Sequence, residues 1–162
     1  MKRWLAILCV VALAGCGFQL RAAAKLPFDT VYVAAADGGI ALELKRNIRA
    51  GTDAKVVDDA KKAEALLQFT REERQKVILS LDAAGRVREF QLRYIVGFRV
   101  VDNKGGVYVP QSTIELSRDV TYNDADVLAK ESEEQLLYRD MQNDMVQQIM
   151  RRLAAAKRPA SA

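Results

Sequence analysis

Between Val87 and Val101 the side chains alternate, with Phe90, Leu92, Tyr94, Val96, Phe98 and Val100 all on one parity. The opposite parity carries Glu89, Gln91, Arg93 and Arg99, broken by Ile95 and Gly97. A two-residue period over this length suits an extended strand with one apolar face, and no amphipathic helix can present it. Burying six such side chains, at about 1.5–3 kcal/mol each, would supply much of the gross stabilisation of a small core. The polar row implies that the other side of the sheet meets water or a polar partner.

Turn signals bracket this strand: Gly85 before it and Asp102-Asn103-Lys104-Gly105-Gly106 after it. Val107 to Tyr122 continues as another strand, which Pro110 assigns to a sheet edge. Upstream, Ala65, Leu67 and Phe69 alternate with polar neighbours, and Val77, Leu79 and Leu81 resume the same parity. The segment between them, Arg71-Glu72-Glu73-Arg74-Gln75-Lys76, is polar on both faces. It reads either as a strand overhanging its sheet or as a solvated bulge or loop.

Thr30 to Ala35 has strand composition, and Gly38-Gly39 breaks it. Ile40, Leu44 and Ile48 then recur every fourth residue, a helix whose end near Gly51 suits a C′ glycine. Strand, helix and strand joined this closely imply a parallel pair with a right-handed crossover. Lys55-Val56-Val57 can form a short extended piece before the polar loop from Asp58 to Lys62.

From Asp124 the period changes. Leu137, Met141, Met145, Ile149 and Leu153 form a row at helical spacing, flanked by Tyr138, Val146 and Met150. Asn123 or Asp124 can cap this helix, and Glu131, Glu133 and Glu134 near its start and Arg151 and Arg152 near its end suit the helix dipole. Its methionines, Met141, Met145 and Met150, fit core filling better than an adaptable binding stripe. The expected fold is α/β: a two-layer sandwich in the order β-α-β-β-β-α, with a mixed four-stranded sheet and two helices on one face.

The amino terminus has a different character. Met1-Lys2-Arg3 is cationic, Trp4 to Leu13 is uncharged and apolar, and Leu13-Ala14-Gly15-Cys16 follows. The apolar run falls short of the roughly 20 residues that span a bilayer and matches a secretory signal. Leu-Ala-Gly-Cys resembles the bacterial lipobox, which implies that Cys16 receives a diacylglyceryl thioether and becomes the first residue after cleavage. Residues 1–15 are then a lipoprotein signal peptide, 16–27 an acylated tether, 28–157 the folded domain and 158–162 a flexible tail. Cys9 would leave with the signal, so the mature chain would keep no free thiol. By resemblance to enterobacterial sorting, Gly17 after the cysteine favours the outer membrane.

Charge and chemistry narrow the function. The chain has 25 basic and 21 acidic residues, and losing Lys2 and Arg3 leaves 23 against 21. A net charge of +2 does not mark a nucleic-acid binder. Two cysteines and no histidine give no catalytic thiol pair or zinc site, and neither a metal nor another cofactor is expected. The acidic pairs Glu72-Glu73 and Glu133-Glu134 could suggest a two-carboxylate glycosidase, but adjacent residues point in different directions on a strand or helix. No catalytic residue is expected.

Several segments together resemble the LptE family of lipopolysaccharide-assembly lipoproteins. They are Cys16-Gly17-Phe18-Gln19-Leu20-Arg21, Glu89-Phe90-Gln91-Leu92, Arg118-Asp119 leading into Thr121-Tyr122-Asn123, and Val127-Leu128-Ala129-Lys130-Glu131. Leu137-Tyr138-Arg139-Asp140-Met141 and Arg151-Arg152-Leu153 complete the set. The resemblance implies a non-enzymatic plug inside the LptD outer-membrane β-barrel, paired 1:1, on the periplasmic side of the lumen. It also implies assistance in barrel folding and in delivering lipopolysaccharide to the outer leaflet. By the same resemblance, basic residues at a strand–strand tip and a lysine opening the last helix contact lipopolysaccharide. The lysine matches Lys130. At the tip the expected arginine position holds Ala83, with Arg86 and Arg88 just beyond Gly85. The alternative is a freestanding ligand-binding or auxiliary lipoprotein of a lipid transporter, which would need a substantial apolar pocket.

Overall fold

A computed structural model describes residues 24–34, 38–123 and 127–159. The expected signal peptide, Cys16, most of the tether, the Asp124 cap and the last three residues lie outside the described residues. The elements are β1 (Thr30–Ala34), α1 (Gly39–Gly51), β2 (Lys55–Val56), a 3-10 turn (Ala60–Lys62), β3 (Ala65–Leu81), β4 (Val87–Val101), β5 (Val107–Thr121) and α2 (Val127–Ala155). They form one mixed sheet in the order β2-β1-β3-β4-β5. β1 is parallel to β2 and β3, while β3, β4 and β5 run antiparallel.

The sheet therefore has five strands rather than the expected four. The added strand is β2, two residues long and paired with β1 through Thr30–Lys55 and Val31–Val56. So short a segment carries too little alternation to stand out in the sequence.

One cluster of buried side chains joins both helices to one face of the sheet. Leu92, Tyr94, Val96, Phe98 and Val100 of β4 are fully buried there, and only Phe90, nearest the end of the strand, is half-buried. α1 contributes Ile40, Leu44 and Ile48, and α2 contributes Met141, Met145, Ile149 and Leu153. The methionines at 141 and 145 are core, and Met150 packs partly buried against it. Gly51 ends α1 without the expected left-handed C′ conformation, since positive φ occurs only at Gly39, Gly85 and Gly105 among the described residues. Thr52 closes the helix in extended conformation, its N–H and Oγ1 both donating to Ile48 O.

The 71–76 segment is strand, with a bulge at its start. Register passes from Phe69–Phe98 to Arg71–Gly97, leaving Thr70 without a partner on β4. That extra residue inverts the parity as far as Ile78, beyond which the register shifts again around Leu79 and Ser80. Glu72, Arg74 and Lys76 thus pair with Val96, Tyr94 and Leu92 on the helix side. Val77, Leu79 and Leu81 do not resume the core face and are 44%, 48% and 55% exposed.

The inverted charges meet α2. Arg74 stacks on the rings of Tyr94 and Tyr138, at 5.1 and 5.3 Å, and donates to Gln142 Oε1 at 2.9 Å. Lys76 pairs with Glu134 at 2.6 Å, Arg118 pairs with Asp144 at 2.8 Å, and Tyr138 Oη donates to Gln75 O at 2.8 Å. α2 is thus fastened by apolar packing from Tyr138 to Leu153 and by polar contacts from Glu134 to Asp144.

Candidate functional site

β1 pairs with β3 only as far as Gln68, so the rest of β3 runs on with β4 and β5 as a long arm. The β3–β4 turn and the start of α2 meet at the far end of that arm, here called the tip. The end where the chain enters is the base.

The tip turn is organised by Asp82. Its Oδ1 accepts N–H bonds from Ala84 at 2.8 Å and Arg86 at 2.9 Å, and its Oδ2 accepts from Arg86 Nε at 2.9 Å. Gly85 supplies the left-handed residue of this turn at φ +78°. The Arg86 N–H holds the Asp82 carboxyl below the ordinary range, helped by Ala84, the Arg86 side chain and the nearby charge of Arg88. Arg86 is therefore tethered yet exposed, and Arg88 is exposed. Ala83 is also exposed in the turn and brings no charge.

Lys130 reaches the same end from α2. Its Nζ donates to Glu133 Oε2 at 2.8 Å and to Thr121 Oγ1 at 3.2 Å. Thr121 is the β5 partner of Glu89, and Tyr122 N–H donates to Arg88 O at 2.7 Å. The tip thus gathers Arg86, Arg88 and Lys130 from three elements, although they are 44 residues apart at the extremes.

The tip also contains features that the sequence reading missed. Lys76 stands with its Nζ 4.4 Å from the centre of the Phe90 ring, and Phe90 in turn packs edge-on to Tyr122 at 5.2 Å. Beside these cations lie exposed apolar side chains: Ile78 at 54%, Leu81 at 55% and Leu128 at 81%. The Thr70 bulge hides this arrangement from simple alternation. Cations with exposed alkyl groups beside them suit an anionic amphiphile, because ammonium and guanidinium groups can meet acidic oxygens while apolar surface is covered.

The acidic pairs separate as adjacent residues should. Glu72 accepts from Tyr94 Oη at 2.7 Å on the helix side, while Glu73 accepts from Gln75 and Arg71 on the other face. Glu133 binds Lys130 and Glu134 binds Lys76. The outer sheet face is knit by cross-strand polar pairs, Arg93 to Glu115, Gln91 to Asp119 and Arg99 to Gln68.

Comparison with known proteins places the chain in a family. The family model described as LptE, lipopolysaccharide-assembly, matches residues 28–153. The LPS-assembly lipoprotein LptE of Photorhabdus laumondii is 25% identical over 150 residues, covering 90% of this chain and 81% of the relative. The solution structure of an uncharacterized lipoprotein B from Nitrosomonas europaea is 45% identical, with a TM-score of 0.74 over 86% of this chain and 91% of its own. The crystal structure of the rare lipoprotein B from Shewanella oneidensis is 25% identical, with a TM-score of 0.66 over 78% of this chain and 94% of its own. With its arm, its tip and more than three quarters of its length matched by the family model, the chain belongs to the LptE family of lipopolysaccharide-assembly lipoproteins.

Proposed function

We propose that this chain is an outer-membrane lipoprotein, acylated at Cys16, that fills the lumen of the LptD β-barrel from the periplasmic side. There it steadies the barrel during assembly and contacts lipopolysaccharide on its way to the outer leaflet. The observation that carries the reading is the convergence of Arg86, Arg88 and Lys130 beside exposed apolar side chains at the end of a long arm. The thirteen residues of β3 beyond Gln68, at about 3.3 Å each, give an arm roughly 43 Å long, enough to reach well into a barrel from its rim. The polar outer face suits a water-lined lumen better than a dry interface. Lipopolysaccharide phosphates would receive charge-assisted hydrogen bonds from the three cations. The role requires no catalysis, and the tip carboxylates Asp82, Glu133 and Glu134 are engaged by Arg86, Lys130 and Lys76.

A freestanding carrier of an apolar ligand has less support. The groove between α1, α2 and β3, about 440 Å³, is lined mostly by charged and amide side chains, among them Glu43, Arg74, Arg139 and Gln142. The test is an affinity pull-down of the acylated protein from outer membranes, with partners identified by mass. A stoichiometric barrel should accompany it through detergent. Recovery of the protein alone, with normal surface lipopolysaccharide in cells lacking it, would refute the proposal.

A further inference from the structure

At the base, a second groove of about 470 Å³ runs between the start of β5 and the end of α2. Its floor is apolar, formed largely by Val107, Val109, Ala155 and Ala156, and Arg152, Lys157 and Arg158 are its charged lining residues. No carboxylate lines it. Arg152 lies over the Phe98 ring at 5.9 Å. Arg158 pairs with Glu64 at 3.0 Å and donates to Pro27 O at 3.1 Å, which ties this groove to the point where the chain enters the fold. Lys157 is exposed and makes no ion pair among the described residues, and the same holds for Lys104 on the neighbouring β4–β5 turn. Of the acids at that end, Glu64 is held by Arg158 and Tyr108, while Asp29 and Asp58 are exposed outside the groove lining. Asp102 Oδ1 accepts the N–H groups of Lys104 and Gly106, and Asp59 Oδ1 accepts that of Lys61.

We infer that this groove seats the headgroup of an anionic phospholipid, the phosphate among the three cations and the first methylenes against the apolar floor. The inference rests on the attachment at Cys16 proposed above. Eight peptide steps separate Cys16 from Ala24, so the base stands within about 28 Å of an acylated Cys16. The tip cannot also lie on that surface if the arm stands upright. Anchored chain and cationic groove then act as two signals, the chain holding the protein and the groove fixing which end faces the leaflet. An acidic peptide would meet the same charges, but only the lipid explains why the groove opens where the tethered segment arrives.

The test uses the mature acylated protein in vesicles of phosphatidylcholine, with or without about one quarter phosphatidylglycerol. Amine-reactive labelling of each lysine is read by peptide mass. Labelling of Lys157 and Lys104 should fall about threefold or more on the anionic vesicles and recover in roughly 0.5 M NaCl, with Lys130 unchanged. In Lys157→Gln/Arg152→Gln protein that retains its thermal midpoint, the protection of Lys104 should disappear. A protein that floats with both vesicles but shows equal labelling on each overturns the groove assignment alone. So does equal protection by a barrel partner, or by lipopolysaccharide micelles, without phosphatidylglycerol. Flotation with neither vesicle, together with a Cys16 peptide of unmodified mass, overturns the attachment and this inference with it.

Discussion

Thr70 Oγ1 lies 2.7 Å from the point a Cβ on Gly97 would occupy, while accepting a hydrogen bond from Gln111 Nε2 at 2.6 Å. The close approach follows from the bulge, which turns Thr70 out of register against a β4 residue with no side chain. Gly97→Ala should therefore destabilise the fold by about 1–3 kcal/mol, read as a lower urea midpoint. Adding Thr70→Ala should recover part of that loss, because the next contacts are with Arg71 Cβ at 3.3 Å and Gln111 Nε2 at 3.4 Å. Strict additivity of the two changes would show that the contact is not what requires glycine.

Tyr94 is fully buried and donates to Glu72, and burial first, then that hydrogen bond and the Glu72 charge, push its phenol well above the ordinary value of 10.0. Tyr108 and Tyr138 are raised as well, chiefly by burial. The folded state thus favours the protonated form, while the unfolded chain ionises near pH 10. Their contribution is complete below that pH and is lost as pH climbs toward the folded values. Urea melts between pH 8 and 11 should show stability falling above about pH 10. Tyr94→Phe should cost about 1 kcal/mol at pH 8 and make the alkaline decline shallower. An unchanged alkaline slope would mean that Tyr94 does not carry the effect.

Much of this fold was legible because its strongest signals are local. The β4 alternation and the α2 row from Met141 to Leu153 name their buried faces directly, and Pro110 does mark an edge strand. What escaped depends on pairing between distant segments. One unpaired residue, Thr70, decides that Arg74 and Lys76 turn toward α2 and that Val77 turns toward solvent. No local pattern announces that choice, because the flanking 71–76 segment is polar on both parities. Arg86, Arg88 and Lys130 could be named from the resemblance, whereas their shared location required the Glu89–Thr121 register.

The tip cations lend themselves to a charge-specific test. Each of Arg86→Gln, Arg88→Gln and Lys130→Gln should weaken lipopolysaccharide binding by roughly five- to tenfold, with the wild-type affinity itself falling as salt is raised. Arg86 and Arg88 are exposed, and Lys130 sits in the first turn of a helix where a cation opposes the dipole. All three variants should therefore keep their unfolding midpoint within about 0.5 kcal/mol of wild type. Lys45→Gln, away from the tip on α1, serves as the control and should bind normally.

Val77, Leu79 and Leu81 raise the last question, since an edge segment beyond the reach of β1 would not ordinarily expose three apolar side chains. The core gains little from them, and the barrel proposed above would cover them. Leu79→Ser/Leu81→Ser should leave the isolated domain as stable as wild type, or better behaved at high concentration, because an exposed strand edge loses its adhesive surface. The same change should reduce recovery of the barrel in the pull-down several-fold. Equal barrel recovery with unchanged solubility would mean that this edge is idle and that the interface lies on the polar outer face, where Arg93–Glu115 and Gln91–Asp119 would then be the pairs to break.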